Sequence, residues 1–96
     1  MNDRNIDGES ILHLAVSNDD YETCCLVIGE GAEVNSCRNG FVSPLHLAAR
    51  SGNEKITKLL VASNADLEAQ NEELQTPLHR AAKYNRVNVV KFLLNK

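Results

Sequence analysis

Apolar residues recur along the chain in short sets at helical spacing, separated by polar stretches. Leu45, Ala48 and Ala49 stand at i, i+3 and i+4, and so do Ile56, Leu59 and Leu60. Each set predicts an amphipathic helix with one face toward a core. Ser43 predicts the start of the first helix, because its hydroxyl can accept a bond from a free N–H of the first turn, and Pro44 gives up no helical bond at the next position. Gly52 predicts its end, since glycine enters the left-handed region without steric cost. Asn64 predicts a second left-handed cap, at the place Gly31 holds earlier in the chain.

The same unit returns. His13, His46 and His79 are 33 residues apart, within Leu12-His13-Leu14-Ala15, Leu45-His46-Leu47-Ala48 and Leu78-His79-Arg80-Ala81. The same shift aligns Ser10, Ser43 and Thr76; Leu26, Leu59 and Phe92; and Val27, Leu60 and Leu93. It also places Asp19 and Asn85 at the position of Gly52. The words Ser43-Pro44-Leu45-His46-Leu47-Ala48-Ala49 and Thr76-Pro77-Leu78-His79-Arg80-Ala81-Ala82 resemble the signature of the ankyrin repeat, whose period is also 33.

That resemblance implies an all-α fold, an ankyrin-type solenoid of helix-turn-helix repeats with short β-hairpin-like fingers. Residues 1–96 would form a single array, with repeat 1 over about 5–37, repeat 2 over about 38–70 and repeat 3 over about 71–96, truncated. Asp7-Gly8 is a strong turn signal for the first finger, but Phe41 and Leu74 replace the glycine expected in the next two. Their geometry is therefore open, and Gly40 is placed to shift the second turn by one residue. Asn2 aligns with Asn35, and the final helix keeps Val89, Phe92 and Leu93, so both ends read as cut from a longer array, with fraying or self-association expected there.

Composition narrows the function. Ninety-six residues with 43% hydrophobic side chains suit one small domain. No apolar run reaches the ~18 residues of a membrane helix, so direct membrane insertion is not expected. A net charge of -3 argues against nucleic acid as a partner. Three cysteines, two of them adjacent, spell no disulfide framework and suit a reducing compartment, hence a cytoplasmic location with the nucleus as the alternative. Cys24 and Cys25 are expected to divide between core and surface, and Cys37 to lie exposed in a finger.

The histidines invite metal and hydrolase readings, and the period answers both. Equivalent imidazoles on helices stacked at roughly 8 to 10 Å cannot share an ion, and catalysis needs one asymmetric cluster rather than one pair repeated three times. The expectation is no enzyme, no cofactor and no metal. His13, His46 and His79 instead take structural roles, each bonded to its own cap, Ser10, Ser43 or Thr76, and to backbone of the adjoining finger, with a buried neutral ring.

Charge is unevenly spread: residues 1–36 carry -7, residues 37–73 carry -1 and residues 74–96 carry +5. In ankyrin-like arrays partners contact finger tips and exposed positions of the first helices. Carried onto this sequence, the tips include Arg4, Ile6, Asp7 and Glu9 in the first finger, Asn39 and Val42 in the second, and Glu72 and Gln75 in the third. The helix positions include Arg50, Ser51, Lys83 and Tyr84, with Arg80 added where the other repeats hold leucine. Arg50, Arg80, Lys83 and Tyr84 would form a basic, partly aromatic patch suited to an acidic peptide. The function implied is a protein-protein interaction module; the alternative is a structural or mechanical segment of a long cytoplasmic array, as in an ion channel, that contacts neighbouring repeats.

Overall fold

The computed structural model describes residues 10–96; the first finger, with Arg4, Ile6, Asp7, Gly8 and Glu9, and the Asn2 alignment lie outside the described residues. Among the described residues six helices follow in three antiparallel pairs: α1 (Ile11–Ser17) with α2 (Tyr21–Gly29), α3 (Pro44–Ser51) with α4 (Glu54–Ala62), and α5 (Pro77–Lys83) with α6 (Val87–Leu94). The first helices α1, α3 and α5 pack in one row and α2, α4 and α6 in a second. Among the described residues there is no strand, only an isolated antiparallel bridge from Arg38 to Val42.

Each first helix starts in the same way. Ser10, Ser43 and Thr76 are extended N-caps whose side-chain oxygens accept from the N–H of His13, His46 and His79, and each ring returns a bond to the cap backbone. Asp20 and Asn53 cap α2 and α4 by accepting from Thr23 and Ile56. The turns inside the pairs close in the left-handed region at Asp19, Gly52 and Asn85, and the pairs end at Gly31 and Asn64 in the same region. These are the positions and substitutes the repeat predicts.

The finger geometry left open by Phe41 and Leu74 is kept, at the expense of strain. Phe41 sits at φ 59° and Leu74 at φ 63°, each bulky where glycine is easy, a cost of roughly 1–2 kcal/mol apiece. Gly40, at φ 84°, does not replace Phe41 in the turn but precedes it, so the second finger carries two successive left-handed residues.

The core lies between the rows. Leu12, Val16, Leu45, Ile56 and Leu60, all fully buried, anchor its larger part; Ala49, Ala81, Val89 and Leu93 form a smaller part under α5 and α6. Val61 and Leu67 pack against both and make the interior continuous. The alanines of the first helices let neighbours come close, which a larger side chain would prevent.

Candidate partner-binding surface

The histidines bind the repeats together. Ser43 N–H can only donate, so His46 Nδ1, 3.2 Å away, must be the accepting nitrogen, and Nε2 carries the proton it gives to the Gln75 carbonyl at 2.8 Å. His13 repeats the arrangement, accepting from Ser10 N–H at 3.2 Å and bonding the Val42 carbonyl at 2.9 Å. Burial, opposed by the Gln75 bond and aided by the Arg80 charge, holds His46 below its ordinary pKa and keeps the ring neutral. His79 keeps only the local half of this pattern: it bonds Thr76, but its ring is exposed, and among the described residues its Nε2 reaches no finger carbonyl. Burial of the third imidazole, expected from the repeat, is thus corrected; it depends on a finger packed against it.

The residues expected to bind a partner separate into three sets. Arg50, Arg80, Lys83 and Tyr84 come together across α3 and α5. The guanidinium carbons of Arg50 and Arg80 stand 5.5 and 5.9 Å from the centroid of the Tyr84 ring, and the Lys83 ammonium 5.8 Å. Such cation–ring contacts contribute about 0.5–1 kcal/mol each at exposed sites. Arg80 Nε is buried with no hydrogen-bond partner among the described residues. Ser51 lies beside the cluster, half-buried, its hydroxyl bonded to the Ala48 carbonyl at 3.1 Å, and a shallow depression lined by Ser17, Leu47, Arg50 and Ser51 adjoins it.

Asn39 and Glu72 form the second set, exposed on their fingers as expected. Glu72 N–H also donates to the Gly40 carbonyl at 2.7 Å and ties the second finger to the third.

Val42 and Gln75 form the third set, and here the structure differs. Val42 is 8% exposed and belongs to the core, because its backbone pairs with Arg38 and its carbonyl faces His13, which turns the side chain inward. It is not a surface contact. Gln75 is half-buried and committed to the finger: its N–H donates to Asn71 Oδ1 at 3.0 Å and its side chain accepts from Asn71 Nδ2 at 3.2 Å.

Two residues stand outside the set expected from the repeat. Asn71, nearly buried, holds the third finger by accepting from the N–H groups of Glu73 and Gln75. Arg86 packs over Gly52, whose missing Cβ would lie 2.7 Å from Arg86 Cδ, and donates from Nε to the Arg50 carbonyl at 2.9 Å. It therefore meets the negative end of α3 and adds a cation beside the cluster. The repeat carries a signal for it: Arg86 aligns with the capping Asp20 and Asn53, and arginine has no acceptor with which to cap. Accordingly α6 has no side-chain cap.

The cysteines divide as expected. Cys24 is fully buried, with its thiol pushed up to about 11 chiefly by burial, Cys25 is half-buried and Cys37 exposed. Among the described residues no three His, Cys, Asp or Glu side chains converge as a metal site, and no helix is long and apolar enough to cross a membrane.

Compared with known proteins, residues 12–96 match the family model described as ankyrin repeats, in three copies. A comparison with curated proteins finds no match for the chain.

Proposed function

Because the chain belongs to the ankyrin repeat family, we propose that it is a non-catalytic module that captures an acidic segment of another protein. Ankyrin repeats are generally protein–protein interaction modules, generally without catalysis. The observation that supports this partner chemistry is the convergence of Arg50, Arg80 and Lys83 on Tyr84, in a region where residues 74–96 contain no acid to neutralise them. Carboxylates approaching α3 and α5 meet two guanidinium forks and an ammonium on a rigid pair of helices. Asn39 supplies a polar contact from the second finger, and Glu72 one from the third for a non-acidic residue of the segment. The setting proposed is the cytoplasm or nucleus, where Cys24, Cys25 and Cys37 stay reduced.

The test is fluorescence anisotropy with a labelled twelve-residue peptide rich in Glu and Asp. Replacing Arg50, Arg80, Lys83 and Tyr84 by serine is expected to weaken binding about 30- to 900-fold at low salt, since each of the four charges or rings removed takes away roughly 0.5–1 kcal/mol, about 2–4 kcal/mol together. Equal affinity of the variant and the parent overturns the reading.

A second reading is favoured by α6, where Val87 is 59% and Leu94 66% exposed and Phe92 half-buried. In it the chain is a structural segment of a longer cytoplasmic array, packed against neighbouring repeats or a second copy. Sedimentation equilibrium distinguishes them: concentration-dependent association, abolished by polar replacement of Val87 and Leu94, supports the second reading. A monomer at all concentrations removes its self-association branch.

A further inference from the structure

Phe41 and Leu74 occupy equivalent positions on the second and third fingers, both in the left-handed region, at φ 59° and 63°, and both largely exposed, at 66% and 69%. Neither the backbone nor the core accounts for them. Glycine would relieve the strain, and a polar side chain would suit the solvent better. The two fingers are joined by the bond from Glu72 N–H to the Gly40 carbonyl, so the pair stands on one continuous rim. Strain kept at an exposed apolar residue, twice at the same place, is what a contact made with another molecule would require.

The charges nearby specify that molecule. Across the two fingers Asp66, Glu68, Glu72 and Glu73 outnumber the base Arg38, which lines a depression with Phe41, so the rim is net acidic, most strongly beside Leu74. The fingers lead directly into α3 and α5, and Arg50, Lys83 and Tyr84 lie at the far ends of those two helices. From Pro44 to Arg50 the helix rises about 9 Å, and Phe41 precedes it by three residues. An extended peptide at ~3.3 Å per residue covers that span in about four to six residues.

The geometry points to Phe41 and Leu74 as an anchor site for an apolar residue flanked by basic ones, in the same partner segment whose acidic end, about four to six residues away, seats on Arg50, Arg80 and Lys83. This rests on the reading of the basic cluster as a peptide site and adds the segment's apolar content, its spacing and its polarity. Unlike the cluster, the rim repels an acidic residue and favours a cation beside the anchor.

The experiment compares two labelled peptides of identical composition by anisotropy. In one a Lys-Phe-Leu-Lys anchor precedes Glu-Asp-Glu-Glu by five serines; in the other the same residues are scrambled. The unscrambled peptide is expected to bind the parent protein at least tenfold more tightly than the scrambled one. Phe41→Gly with Leu74→Gly is expected to abolish that preference while leaving the thermal midpoint equal or higher, because the substitution relieves the left-handed strain. Serine at Arg50, Arg80 and Lys83 is expected to weaken both peptides.

Equal binding of the two peptides overturns the proposal, as does a double-glycine variant that keeps the preference or melts lower than the parent. The last result assigns the pair to the fold instead. If the serine variant binds as the parent does, the basic-cluster reading fails by itself and the anchor proposal falls with it; if only the glycine variant is without effect, the anchor proposal fails and the cluster stands.

Discussion

Lowering the pH should weaken this fold through His46. In the folded chain Nδ1 accepts from Ser43 N–H and Nε2 donates to the Gln75 carbonyl, so a second ring proton would have to displace the bond at Nδ1. Burial penalises the imidazolium as well, and the folded pKa lies below the ordinary value of 6.5. As the pH falls through about 6.5 the unfolded chain takes up a proton that the native state refuses. Stability is therefore complete above that value, declines as the solution becomes more acidic, and levels off once the folded pKa is passed. One such group removes at most about 1.4 kcal/mol per pH unit, hence up to ~2 kcal/mol between pH 6.5 and 5. Against a total of roughly 5 to 14 kcal/mol for a chain of this length, that is a sizeable share.

The assay is urea denaturation followed by circular dichroism at several pH values from 7.5 to 5, with His46→Gln alongside. Glutamine can still accept from the cap N–H but cannot take a proton. The variant should lose about 1–3 kcal/mol at pH 7.5, where the Gln75 bond and the ring packing are gone, and should show a shallower decline toward acid. A parent stability that is flat from pH 7.5 to 5, or a decline equally steep in His46→Gln, would refute the assignment. Asp20 acts in a different window: its bonds from the Thr23 side chain and backbone lower its pKa from 3.8, so its contribution is lost only at stronger acidity.

Two further outcomes follow from the interior. Leu60→Ala removes a fully buried side chain from the larger part of the core and should cost roughly 2–5 kcal/mol, read as a lower denaturation midpoint; an unchanged midpoint would contradict the packing described. Cys24, buried and with its thiol pushed up to about 11, should resist alkylation at pH 8 in the folded protein while exposed Cys37 is modified, a difference that denaturant erases; peptide mass mapping that finds Cys24 labelled first would count against this burial.

Much of this architecture can be read in the sequence because its determinants are local. Ser43, Pro44 and Gly52 state where α3 begins and ends, and the period carries that statement to α1 and α5 even where Asp19 and Asn85 replace glycine. The meeting of Arg50, Arg80, Lys83 and Tyr84 is legible for the same reason: equivalent positions on stacked helices become neighbours. Less legible is what depends on the direction of one side chain in a turn. The place of Val42 in a finger predicts a surface residue, but the bridge to Arg38 and the bond to His13 turn it inward. The exposure of His79 is equally hidden, since its local pattern is that of the buried His13 and His46 and the difference lies in what packs against it. Arg86 is detectable as the residue that breaks the capping pattern, although its seat over Gly52 is not.

The bonds from His13 to Val42 and from His46 to Gln75 both reach forward by 29 residues. During synthesis from the N-terminus, neither histidine can complete its bonds until the following repeat's finger has left the ribosome. At about 5–20 residues per second, that delay is roughly 1.5–6 s. Each first helix thus emerges with its local cap available and its distal bond pending, and the array is secured backwards, every new finger fastening the helix made before it.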